Sequence, residues 1–232
     1  MSNDISVVIP TITGREAWLA ACIEEYERTA PGAEIIVVKD EPSCGIAWEK
    51  GYEQSTRPYV HFTADDLLPR DRWWVEATQF AHAGIVPAAN VRDVYDRPAH
   101  CNSPLGDMGL HPNVLVPFLS REMLERGGWM TTVHYGSDDW ITYRAVQLGY
   151  EVRRGITYCF THCVAGEGRN YLRRYGDVKR LADDMLAAGY LPPVYAQLEV
   201  NLRASPTGLD SVKIDDLDSQ VRKQLRAQQG LA

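Results

Sequence analysis

The chain has 232 residues, 45% of them apolar and 24% charged, and its 24 basic against 31 acidic side chains give a formal charge of −7. Such a chain buries a core without disulfide or metal staples, and its acidic balance argues against a general attraction to nucleic acid or anionic lipid. No apolar run approaches the roughly 20 residues of a membrane span, so no span is expected.

Ile5 to Ile9 (ISVVI) and Glu34 to Val38 (EIIVV) read as strands buried on both faces of a parallel sheet. Between them, Arg15 to Thr29 sets Trp18, Leu19, Cys22, Ile23 and Tyr26 at helical steps, which completes a βαβ unit. Ser43 stands where it caps a helix through Ile46, Ala47 and Tyr52. Tyr59 to Phe62 predicts a third strand ending at Thr63-Ala64-Asp65-Asp66, and Pro69 and Arg70 open a further helix. From 84 to 120, prolines at 87, 98, 104, 112 and 117 predict short strands joined by loops. Ser120 begins a short helix stopped at Gly127-Gly128, Asp138 to Leu148 forms a helix stopped at Gly149, and Ile156 to Phe160 is strand-like.

Beyond that strand the pattern turns helical from Tyr171 to Ala188 and again, after Pro192-Pro193, to about Leu202. Ser205-Pro206-Thr207-Gly208 reads as a hinge. The tail carries Ile214, Leu217, Val221 and Leu225 at helical spacing, a face able to dock on the body or to join a homo-oligomer. The expected organisation is an α/β core over 1–165, a helical part of the same domain over 166–203, and a hinge with a helical tail over 204–232. The N-terminus has neither a basic n-region nor an apolar h-region, and the five cysteines follow no framework pattern, so a cytoplasmic protein with free thiols is expected.

Strands alternating with helices gather ligand groups at the carboxyl ends of the strands. Here those ends carry Pro10-Thr11, Lys39-Asp40 and Asp65-Asp66. Each alone is also an ordinary cap or turn. The loop from Pro10 to Arg15 has only Gly14, and no P-loop pattern occurs, which leaves the usual phosphate cradles without support. A diphosphate can instead be held through a divalent cation. Consecutive carboxylates point in opposite directions, so one of the Asp65-Asp66 pair can reach a metal while the other faces a sugar hydroxyl.

Taken in order, these residues resemble the GT-A-fold glycosyltransferases of the family 2 type. SVVIPT (Ser6 to Thr11) is similar to that family's first strand and nucleotide loop, and EIIVVKD (Glu34 to Asp40) to its second strand. GIAWEKGYEQSTRPYVHFTADDLLP (Gly45 to Pro69) resembles the segment that ends in a DxD-type metal motif, and GGWMTTVHYGSDDWITYRAVQLGYEV (Gly127 to Val152) the acceptor loop and catalytic acid motif. Lys39 stands where the family usually has an aspartate and Glu49 where it often has an asparagine. The interval from Asp40 to Asp66 is short for the family, which implies a smaller sheet.

The resemblance implies a Rossmann-like, mainly parallel sheet flanked by helices, and transfer of a sugar from a nucleotide sugar, a UDP-sugar, to an acceptor hydroxyl with inversion. Pro10, Thr11 and Asp40 would contact the nucleoside, Asp65 the ribose, and Asp66 a Mn2+ or Mg2+ ion that acts as Lewis acid on the diphosphate. His162 falls where many relatives place a histidine near the metal. The acceptor, whether glycan, protein, metabolite or modified nucleic acid, needs a base. Counting back from Arg144 gives Asp138, with Asp139 as the alternative because the Gly136-Ser137-Asp138-Asp139 run can shift by one.

Trp129 is placed to stack on a sugar, with Gly127 and Gly128 lending the loop freedom to move, although a core tryptophan fits the same pattern. Cys159 and Cys163 with His162 have poor spacing for zinc and no second pair. Two other readings use the same acids. A nucleotidyltransferase predicts a glycine- and lysine-rich first loop, which is absent; a catalytically silent nucleotide-sugar-binding module accommodates Lys39, Glu49 and the shortened sheet.

Overall fold

A computed structural model describes residues 2–96, 112–132 and 137–163. In it β1 (Ile5–Thr11) is buried along almost its whole length because both of its faces are covered, and its two polar residues, Ser6 and Thr11, bond to Glu34 and Asp65. Strand side chains alternate between faces. Ile5, Val7 and Ile9 therefore enter one core with Cys22 and Tyr26 of α1 (Glu16–Thr29) and Trp73, Ala77 and Ala81 of α3 (Trp73–His82). Val8 enters a second core with Ile36 and Val38 of β2 (Glu34–Lys39), Ala47 and Trp48 of α2 (Cys44–Gln54), and Val60 and Phe62 of β3 (Tyr59–Phe62). Trp140, Ile141 and Ala145 of α5 (Ser137–Gln147) complete that second layer.

The main sheet has the order β2-β1-β3-β6, with β1 parallel to β2 and β3, and β6 (Phe118–Ser120) antiparallel to β3. A second sheet sets β7 (Glu151–His162) between β4 (Leu67–Pro69), antiparallel, and β5 (Ile85–Asp93), parallel. The short stretch from Asp40 to Asp66 holds one helix and one strand, α2 and β3, so β3 lies directly beside β1. Gly51 makes the layer close: a Cβ there would lie 2.1 Å from a methyl of Val8.

Helix starts follow the local chemistry. Ser43 Oγ accepts from the Ile46 N–H at 3.2 Å, and Ser120 Oγ accepts from Met123 N–H at 3.2 Å to begin α4 (Arg121–Glu125). Several elements differ from the expected ones. Leu67–Pro69 is a strand rather than a helix start, and α3 begins at Trp73, after Arg72 turns the chain with a φ of 60°. Residues 85–93 form one nine-residue strand despite Pro87, because β5 lies at a sheet edge where a missing N–H costs no ladder bond. Trp18 is 40% exposed; α1 buries Cys22, Tyr26 and Thr29 instead.

β7 runs for twelve residues where only Ile156 to Phe160 read as strand. Its pairing with β5 jumps from Ala88↔Arg154 to Asn90↔Cys159, so the intervening residues bulge out. Glu76 of α3 supports this bulge: its carboxylate accepts from the N–H groups of Ile156, Thr157 and Tyr158 at 3.0, 2.7 and 2.9 Å. The helices expected beyond 163, the hinge and the tail lie outside the described residues. Among those described, Cys22, Cys44, Cys159 and Cys163 form no disulfide, and no helix is long and apolar enough to cross a membrane.

Candidate active site

The polar rim lies where β1, β2 and β3 end. The chain leaving β3 is pinned from both layers: Thr63 N–H donates to Val8 O at 3.1 Å, and Trp48 Nε1 donates to Thr63 O at 3.0 Å. The Tyr26 hydroxyl lies 2.9 Å from Thr63 Oγ1. Asp65 and Asp66 follow at once. The antiparallel register of β4 and β7 pairs Leu67 with His162, and Cys163 N–H donates to Asp66 O at 2.8 Å, so the histidine arrives beside the acids from almost a hundred residues away.

Side chains then link along the rim. Thr11 Oγ1 donates to Asp65 Oδ2 at 2.7 Å. Arg15 Nε lies 3.0 and 2.9 Å from the two Asp65 oxygens, and its Nη2 lies 2.9 Å from Asp65 Oδ1 and 2.8 Å from Asp66 Oδ2. His162 Nε2 is 3.7 Å from that same Asp66 oxygen. Burial by itself raises the Asp66 carboxyl, but the adjoining His162 ring and then the Arg15 guanidinium outweigh it and hold the carboxyl below the usual carboxylate range.

Asp40 sits beside this chain with a φ of 60°, its N–H donating to Thr11 O at 2.9 Å. Its carboxylate accepts from Thr13 N–H at 2.6 Å and Thr13 Oγ1 at 2.8 Å, and these bonds lower its pKa. Lys39 turns outward to Glu16, 3.2 Å away, where both side chains are exposed. Pro10 is part of β1, opposite Val38.

Asp138 belongs to a second cluster, in the first turn of α5. Asn113 Nδ2 donates to Asp138 Oδ2 at 2.8 Å, while Thr142 Oγ1 donates to Asn113 Oδ1 at 2.8 Å and accepts from Val114 N–H at 2.9 Å. Asn113 and Thr142 are buried, so the carboxylate is held by a polar pair that is itself fixed. Asp139 follows in the helix, and its side chain is not among those the structure describes.

Trp129 is a core residue rather than a sugar platform. It is 2% exposed, its Nε1 donates to Met123 O at 2.6 Å, and its ring packs on Tyr150 at 5.8 Å. Gly128 has a φ of +74°, and a Cβ on it would lie 2.9 Å from Arg144 Nε. The double glycine is strapped down, since Trp140 Nε1 donates to Gly128 O at 2.8 Å and Arg144 Nη2 to Gly127 O at 2.9 Å. This segment therefore anchors the start of α5.

Sequence reasoning missed Arg15, Asn113 and Thr142. A basic residue in the loop after a strand whose neighbour ends in two acids is a signal that points to Arg15. The partnership of Asn113 with Asp138 has no such signal. Among the described residues no group of three or more His, Cys, Asp and Glu side chains is arranged to hold a metal ion by itself. Asp66 Oδ2 and His162 Nε2, 3.7 Å apart, nevertheless fit as two ligands of one divalent cation, because metal–ligand bonds of about 2.1 Å span that gap. Magnesium-like ions are held by one or two protein carboxylates and complete their shell with phosphate oxygens, a part Asp66 can play.

No family model matches the chain, and no curated protein matches it. Solved structures do. The chain is similar to the mannosyltransferase PcManGT from Pyrobaculum calidifontis in complex with GDP-Man and Mn2+, with a TM-score of 0.56 and 15% identity over 98% of this chain and 83% of that one. It is similar to S. aureus TarS, at TM-score 0.54 and 13% identity over 90% of this chain and 44% of that one. TarS 1-349 in complex with UDP-GlcNAc matches at TM-score 0.57 and 13% identity, over 79% and 66% of the two chains. At these identities the likeness establishes the fold: a mixed α/β architecture with parallel-rich sheets flanked by helices, shared with glycosyltransferases.

Proposed function

We propose that this protein transfers a glycosyl group from a nucleotide sugar, a UDP-sugar, to an acceptor hydroxyl with inversion at the anomeric carbon. The observation that carries this reading is the linked rim Thr11-Asp65-Arg15-Asp66-His162 at the carboxyl ends of the strands, on a fold whose solved neighbours are glycosyltransferases with GDP-Man or UDP-GlcNAc bound. Pro10, Thr11 and Asp40 contact the nucleoside, and Asp65, aligned by the Thr11 hydroxyl, takes the ribose. Asp66 and His162 would hold the Mn2+ or Mg2+ ion. When bound, that ion supplies positive charge to the diphosphate leaving group.

Asp138 acts as the base, with Asp139 the alternative. Its carboxylate takes the proton of the acceptor hydroxyl as the new oxygen–carbon bond forms and the bond to the diphosphate breaks. Asn113 holds that carboxylate in place, which leaves little reorganisation for the reacting step. The tail beyond residue 204 is the proposed site of any homo-oligomer contact.

A thermal-shift panel tests the reading: UDP, GDP, UDP-sugars and GDP-mannose, each with and without Mn2+. A ligand at a hundred times its Kd stabilises the native state by about 2.7 kcal/mol. A Mn2+-dependent rise in Tm with a UDP-sugar is expected. No rise with any nucleotide sugar would refute the proposal.

A further inference from the structure

We infer that Arg15 is a displaceable counter-cation that occupies the cation-binding oxygen of Asp66 until a nucleotide diphosphate brings its metal into the site; this rests on the glycosyltransferase reading above. The juxtaposition is specific to one atom. Asp66 Oδ2 is approached by Arg15 Nη2 at 2.8 Å and by His162 Nε2 at 3.7 Å, so the oxygen a cation would share with His162 already carries a guanidinium. The Arg15 and Asp66 side chains are each only 16% exposed, so water screens little of the repulsion between that guanidinium and an incoming divalent ion.

The same geometry provides the release. Arg15 Nη2 is divided between Asp66 and Asp65, and Arg15 Nε makes contacts of 3.0 and 2.9 Å with the two oxygens of Asp65. The guanidinium can therefore give up Asp66 while keeping its planar grip on Asp65. Charge decides when that happens. Asp65, Asp66 and Arg15 together carry a net charge of −1, a weak lure for a free divalent ion; a diphosphate adds the negative charge that makes the ion's entry favourable. Metal and donor are thus coupled, and each raises the other's affinity by the same factor. Arg15 holds Asp65 ready for the ribose throughout.

The test is Mn2+ binding followed by electron paramagnetic resonance, with and without UDP, on the wild type, Arg15→Ala, Arg15→Lys and Asp66→Asn, each checked for native fold by circular dichroism. The wild type is expected to bind Mn2+ weakly alone and about tenfold or more tightly with UDP. Arg15→Ala should bind Mn2+ alone about tenfold more tightly than the wild type and lose most of the gain from UDP. Arg15→Lys, a point charge that cannot bridge both acids, should fall between them and gives the reading if the alanine variant does not fold. Asp66→Asn should bind no Mn2+ at the site. If Asp66→Asn abolishes binding while Arg15→Ala and Arg15→Lys match the wild type, Arg15 does not guard the site and the inference fails alone. If Asp66→Asn leaves Mn2+ binding unchanged, the cation site is elsewhere and the metal-assisted reading falls with it.

Discussion

Acidification should destabilise this protein through one buried histidine. His61 of β3 has no exposed surface, and its ring is enclosed by Trp73 of α3, Phe118 of β6, and Tyr158 and Phe160 of β7, with Trp73 at 4.4 Å and Phe160 stacked at 5.3 Å. Its Nε2 lies 2.9 Å from the hydroxyl of Tyr26 in α1, and its Nδ1 lies 3.2 Å from that of Tyr158. Both phenols are themselves pushed up by burial, so neither offers a negative charge to an imidazolium. Burial pushes His61 down to about 3. In the unfolded chain a histidine titrates at about 6.5.

The folded state thus keeps His61 neutral where the unfolded state takes up a proton. Stability is fully present above pH 6.5 and is lost as the pH falls towards 3. At pH 5 the loss from this group is about 2 kcal/mol, a large fraction of the 5–15 kcal/mol typical of a domain. Urea unfolding at pH 7.5 and 5.0, compared between the wild type and His61→Phe, measures it. In that variant Tyr26 and Tyr158 keep Thr63 Oγ1 and the Val116 carbonyl as partners. The wild type should lose about 2 kcal/mol more than the variant between the two pH values. Equal losses would refute the argument that desolvation of His61 sets the acid limit.

Gly51→Ala should destabilise by about 1–2 kcal/mol, because the overpacking of a methyl against Val8 exceeds the roughly 1 kcal/mol that alanine gains in a helix; chemical denaturation reads the difference. Asp138→Asn should keep the donor-induced thermal shift yet lose turnover by about 100- to 10,000-fold in a transfer assay, and near-normal turnover would sink the base assignment. Asn113→Ala, which leaves the carboxylate but removes its holder, should lower kcat by about tenfold with the donor KM unchanged; a change in KM alone would assign Asn113 to binding instead.

The sequence by itself determined β1, β2 and β3 as strands, since ISVVI, EIIVV and YVHF are short runs rich in β-branched and aromatic residues; the expected burial of EIIVV on both faces does not hold, because β2 lies at the sheet edge and Val37 is 38% exposed. It also determined the helix starts at Ser43 and Ser120, where a hydroxyl acts within three residues of its own position. It put Thr11, Asp40, Asp65 and Asp66 at the strand ends because strand polarity is a local property. What lay beyond it depends on distant partners. β7 needs Glu76, some eighty residues earlier, to accept the N–H groups its bulge leaves unpaired. Trp129 could not be told from a sugar platform until Met123 and Tyr150 closed around it. The convergence of Arg15 and His162 on one Asp66 oxygen arises only because β4 pairs with β7 and the residue before α1 reaches the Asp65-Asp66 turn. Local chemistry selects the elements and their ends; which charges meet there is fixed by tertiary packing, because electrostatic contacts of about 3 Å follow spatial neighbours and not sequence neighbours.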